Sequence, residues 1–112
     1  MRAPRQAVVY LRVVPQARQV LKLEQQLEHI QAFRETHAVQ ELGRFEDLDT
    51  EGFEQLRAAA QAARAQGLFV LMDHVDDFEQ VISILNAEGA NFISAQSSTQ
   101  ALYSFFNDPS PS

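Results

Sequence analysis

Three groups of residues carry side chains that could do chemistry. The densest is Asp73-His-Val-Asp-Asp77, with Glu46-Asp-Leu-Asp49 farther back in the chain. Carboxylates combined with an imidazole suit hard divalent cations such as Mg²⁺ or Mn²⁺. Asp47, Asp73, His74 and Asp77 together would then serve a metal-dependent hydrolase or phosphotransferase. A plainer role competes for the same residues. Asp76 and Glu79 have the spacing of a helix capping box, and Asp77 suits the positive end of a helix dipole. The capping role is the expectation, with no metal and no other cofactor. The second group is a single residue, Arg12, inside the apolar run Ala7-Val-Val-Tyr-Leu-Arg-Val-Val14. A cation there must find an acceptor, since an unpaired buried charge is costly. Asp47 and Asp73 are the expected partners. The third group, Ser97-Ser-Thr99, is a polar turn; no histidine or lysine is placed to activate a hydroxyl there. His29 and His37 read as partly buried or surface imidazoles.

These residues need elements to position them. Ala7 to Val14 reads as a strand buried on both faces, as in a parallel sheet. Pro15 ends it by removing a donor and holding Val14 extended. From Gln16 to His37, Val20, Leu23, Leu27, Ile30, Phe33 and His37 recur at steps of three and four, which predicts a helix with one apolar stripe. Ala38 to Phe45 is a weaker strand and Glu46 to Gly52 an acidic loop. Phe53 to Gln66 is an Ala-rich helix closed by Gly67. Leu68 to Asp73 is the clearest buried strand. Phe78, Val81, Ile82 and Leu85 line a third helix that stops at Gly89, and Asn91 to Ala95 is a fourth strand. Strand and helix alternate throughout, which argues a parallel sheet with helices on its faces. Sites in such sheets form beyond the carboxyl ends of the strands. The acidic segments lie there.

The whole chain has 112 residues, no cysteine and a formal net charge of −6. That is one domain's worth of chain, able to bury about two-thirds of its unfolded surface without disulfides. Every lysine and arginine lies at or before Arg64, and the remainder is acidic. Binding to nucleic acid depends on cations that displace phosphate counterions. DNA binding by this chain alone is expected to be weak or absent. No apolar run reaches the roughly 20 residues of a membrane span, and a cytoplasmic protein is expected.

Tyr10-Leu-Arg-Val-Val14 resembles the Tyr-x-Arg-Val-Ser motif of the serine recombinases (resolvases and invertases), in their N-terminal catalytic domain. Leu23-Glu-Gln-Gln-Leu27 is similar to the Leu-Glu-x-Gln-Leu of that family's first helix. Phe45-Glu-Asp47, Phe69-Val-Leu-Met-Asp73 and Asn91-Phe-Ile-Ser94 resemble its second, third and fourth strands. The likeness runs from about residue 6 to residue 98. It implies a three-layer α/β domain around a mostly parallel four-stranded sheet, in the order 2-1-3-4.

The family's activity is DNA strand exchange through a covalent phosphoserine. By resemblance, Arg12 stands at a catalytic arginine and Asp73 at a catalytic-domain aspartate. Val14 stands where the nucleophilic serine belongs. His74 and Asp77 stand where two active-site arginines belong, and Thr50 or its neighbours where another does. Valine has no oxygen to form a phosphoester. An aspartate in place of an arginine repels the phosphate on which the chemistry acts. The expectation is therefore a degenerate domain, resolvase-like over residues 1–98, acting through contacts with another protein or as a homodimer. Residues 99–112 are expected to form a short apolar segment and a disordered tail. The family continues into a long helix that makes dimer contacts, and residues 99–106 read as its stub. Leu102, Tyr103, Phe105 and Phe106 would then pack back on the sheet or form an interface.

Overall fold

A computed structural model describes residues 5–15, 19–73, 75 and 77–95. The elements alternate as expected: β1 (Arg5–Val13), α1 (Gln19–His37), β2 (Val39–Leu48), α2 (Glu54–Gln66), β3 (Phe69–Met72), α3 (Phe78–Glu88) and β4 (Asn91–Ser94). The four strands form one sheet in the order β2-β1-β3-β4, and each neighbouring pair is parallel. β1 is internal to the sheet, which explains its apolar run from Ala7 to Leu11: both of its faces are covered.

Alternate residues of β1 feed two separate cores. Ala7, Val9 and Leu11 pack with Ile30 and Phe33 of α1, with Leu23 and Leu27 at the margin. Val8 and Tyr10 pack with Leu56, Ala59, Ala60 and Ala63 of α2 and with Val81 and Leu85 of α3. The result is three layers, α1 on one face and α2 with α3 on the other. The alanines of α2 let that helix approach the sheet closely. Gly67 and Gly89 close α2 and α3 in the left-handed conformation, at φ 69° and 71°, where a side chain would be strained. Among the described residues, no helix is long and apolar enough to cross a membrane.

Two expectations about the edges of elements are corrected. The second strand does not stop at Phe45. β2 continues through Glu46, Asp47 and Leu48, paired with Leu11, Arg12 and Val13. The carboxylates that suggested a loop are tolerated because Asp47 points at polar partners, and because β2 is an edge strand. The helix after β3 is also capped differently. Asp77, one residue later than expected, is the N-cap of α3, and its side chain makes no capping bond. Asp76 lies outside the described residues.

β2 also carries a bulge that the sequence does not announce. Its register with β1 slips between Ala7 and Val8, so Leu42 has no partner across the ladder. Leu42 is 42% exposed. The extra residue reverses the alternation of everything after it. Val39 packs with the α1 core, while Phe45 packs with the α2 and α3 core. Asp47, two residues on, is thereby brought to the face that carries Tyr10 and Arg12.

Candidate functional site

The bulge, the strand ends and two helix starts converge on Arg12. Its side chain is 1% exposed, and all five guanidinium N–H bonds have acceptors. Nε donates to Asp77, 3.0 Å from Oδ1 and 2.9 Å from Oδ2. Nη2 donates to Asp77 Oδ2 at 2.8 Å and to the Glu51 carbonyl at 3.3 Å. Nη1 donates to the Gly52 carbonyl at 2.6 Å and to the Tyr10 hydroxyl oxygen at 3.2 Å. The guanidinium carbon lies over the Phe53 ring, 4.0 Å from its centre, a cation–π contact. Burial disfavours the Arg12 charge. The hydrogen bonds that it donates to Asp77 and Tyr10 outweigh it, and the pKa lies above its ordinary value.

Asp47 holds the other half of this network. Its Oδ2 accepts the Tyr10 hydroxyl at 2.8 Å and the backbone N–H of Leu56 at 3.0 Å. Its Oδ1 accepts the N–H of Gln55 at 3.1 Å. The N-cap residue of α2 is Phe53, which offers no side-chain bond. Asp47 supplies the cap from the neighbouring strand instead, where a carboxylate also favours the helix dipole. Its contact with Arg12 Nη1 is longer, at 3.8 Å. Burial pushes the Tyr10 hydroxyl well above its usual pKa; Arg12 opposes this and Asp47 adds to it.

Asp73 faces the opposite side of the sheet. Its Oδ2 is 2.7 Å from His29 Nδ1 of α1; the carboxylate is 3% exposed and the imidazole 45%. The expected partner of Arg12 was Asp47 or Asp73. The close partner is Asp77, Asp47 is second, and Asp73 belongs to His29. The parity of β3 explains the last of these, since Leu71 packs on the α1 side and Asp73 follows it by two.

Val14 is the residue after β1 and is half-buried. Thr50 accepts the N–H of Gly52 on its hydroxyl at 3.0 Å, in the turn that presents the Gly52 carbonyl to Arg12. Asp47, Asp73 and Asp77 are not brought to one point, and among the described residues no three His, Asp or Glu side chains are grouped to hold a metal. His74, Ser97, Ser98, Thr99 and the cluster Leu102, Tyr103, Phe105 and Phe106 lie outside the described residues.

One residue at the site escapes sequence reasoning altogether. Gln26 of α1 is buried at 3% exposure, and it meets Arg12 from the far side of the sheet. Its place inside Leu23-Glu-Gln-Gln-Leu27 was the only signal available.

No protein-family model and no curated protein matches the sequence. Among solved structures, the chain is similar to the C-terminal catalytic domain of ISC1926 TnpA, an IS607-like serine recombinase. The TM-score is 0.58 at 18% identity, over 90% of this chain and 77% of that one. The chain has the fold of a serine recombinase catalytic domain. Within the recombinase fold, the acidic rim of this chain is a set of occupied positions: Asp47 caps a helix, Asp73 holds His29, and Asp77 holds Arg12.

Proposed function

We propose that this chain is a catalytically inactive serine-recombinase-like domain that acts through protein contacts, as a scaffold or regulatory element. The observation that carries the reading is the state of Arg12. Phosphoryl transfer needs fixed cations aimed at the developing charge, and the loss of one donor commonly costs about 10²–10³ in rate. Every donor of Arg12 is spent on the protein's own oxygens. Val14, where the resemblance puts a nucleophile, has no atom able to attack phosphorus. Asp77, where it puts an arginine, adds a negative charge. The acidic balance of the chain fits weak or absent DNA binding and a cytoplasmic partner protein. The apolar cluster Leu102, Tyr103, Phe105 and Phe106 is the proposed contact, with a second copy of the chain as the first candidate partner.

Incubation with supercoiled DNA, followed by denaturing electrophoresis, tests the first half. No nicking and no covalent protein–DNA adduct is expected, and an adduct would sink the reading. Mass in solution tests the second half. The full chain is expected to be a dimer and residues 1–98 a monomer. An unchanged mass on truncation removes the cluster as the homodimer contact.

A further inference from the structure

Arg12 is buried with a mixed set of acceptors. Tyr10, Glu51 and Gly52 offer it neutral oxygens, and the Asp47 carboxylate stands 3.8 Å away. Asp77 alone among the described residues gives it an anion in direct contact, through both carboxylate oxygens. The two partners differ in access. The Arg12 side chain is 1% exposed and that of Asp77 is 20% exposed. The carboxylate therefore stands between the guanidinium and solvent, 65 positions away in sequence from the residue it covers.

We propose that Arg12 is the base of an oxyanion site that the chain fills with its own Asp77, a built-in plug where an external carboxylate or phosphate would otherwise bind. The guanidinium fork matches both kinds of anion. The place suits a ligand as well, at the carboxyl edge of a parallel sheet between the starts of two helices. The other three acceptors are strand, loop and backbone groups that keep the guanidinium aimed outward when Asp77 is removed. A tethered carboxylate competes at an effective concentration on the order of millimolar or higher, so the native chain holds the site shut against ordinary phosphate. The proposal deepens the reading of Arg12 as fully engaged and rests on it.

The test compares wild type, Asp77→Ala and Asp77→Asn by thermal unfolding in sodium chloride, acetate and phosphate at matched pH and ionic strength. Asp77→Ala is expected to melt at least about 5 °C below wild type in chloride, because breaking a buried pair strands a charge. It is expected to regain at least half of that loss in acetate or phosphate, with a saturating dependence on concentration. Wild type should not respond, and Asp77→Ala combined with Arg12→Met should lose the response. Recovery in acetate alone marks a planar carboxylate site, and recovery in phosphate alone a tetrahedral one; either supports the plug. If Asp77→Ala is unfolded in chloride, refolding in acetate or phosphate, read by circular dichroism, is the same measurement, with Asp77→Asn run beside it. No gain over chloride for any Asp77 variant overturns the proposal. That outcome would leave the inactive reading standing, because the latter is read by the covalent DNA adduct.

Discussion

Gln26 grips the backbone of Arg12 at both ends: its Oε1 accepts the Arg12 N–H at 3.0 Å, and its Nε2 donates to the Arg12 carbonyl at 2.7 Å. β3 pairs with β1 only as far as Val9. Beyond that point the side-chain amide does the work of a missing strand and fixes the base of the Arg12 side chain.

Removing that amide strands two buried backbone groups. Each unmet group costs about 1–3 kcal/mol, so Gln26→Leu should lose about 2–6 kcal/mol of stability. The midpoint of urea unfolding should fall with the slope unchanged. A loss under about 0.5 kcal/mol would mean that the backbone finds other partners.

Arg12→Lys keeps the charge and should still be destabilising by more than about 1 kcal/mol. An ammonium has three donors and no plane. It cannot serve Asp77, Tyr10, Glu51 and Gly52 together, nor stack on Phe53. Denaturant melts of Arg12→Lys beside Arg12→Met measure the effect. The lysine variant is expected between wild type and methionine.

Tyr10 makes stability depend on alkaline pH. Its pKa in the folded chain lies above the ordinary 10.0, because burial disfavours the phenolate. Above that ordinary value the unfolded chain loses a proton that the folded chain retains, so stability falls as pH rises. The contribution is intact below pH 10 and is lost as the pH climbs through and beyond it. Thermal midpoints from pH 8 to pH 11 should drop at the upper end. In a Tyr10→Phe chain, less stable at pH 8, that drop should be smaller. Equal slopes in the two chains would contradict the assignment.

Deleting Leu42 should be tolerated, and deleting Glu46 should not. Leu42 is the extra residue of the bulge, so its loss leaves Gly43 opposite Val8 and Asp47 opposite Arg12. Loss of Glu46 leaves Phe45 and Asp47 adjacent, so one of them faces α1 whether the bulge is kept or straightened. Circular dichroism on the two deletions decides it: a cooperative melt for the first and none for the second. Two unfolded chains would count against the bulge as the element that sets the register.

The alternation of strand and helix was legible where an element ends at a residue with one strong conformational consequence: Pro15 after β1, Gly67 after α2 and Gly89 after α3. The position of the site was legible too, since parallel sheets expose their carboxyl ends. The hidden parts have a common physical cause. Asp47 reads as loop because carboxylates are rare in strands, and nothing local says that Tyr10 and the start of α2 will receive it. The bulge at Leu42 is a property of two strands together and leaves no mark on either alone. Two of the acceptors that hold Arg12, the carbonyls of Glu51 and Gly52, are backbone atoms, for which residue type carries no information. The pairing of Asp73 with His29 follows from strand parity and helix placement, both of which need the packed layers.

The central place of β1 also bears on how the chain is made. Its neighbours are β2 and β3, both later in sequence, so β1 leaves the ribosome before either of the strands that cover its edges. Until Met72 is synthesised, Ala7 to Val14 is an apolar segment of high strand propensity without its full set of partners, the kind of window that seeds aggregation. Arg12 interrupts that window with a charge. In the nascent chain it is a gatekeeper against association with other chains, a role that ends when the folded protein closes around it.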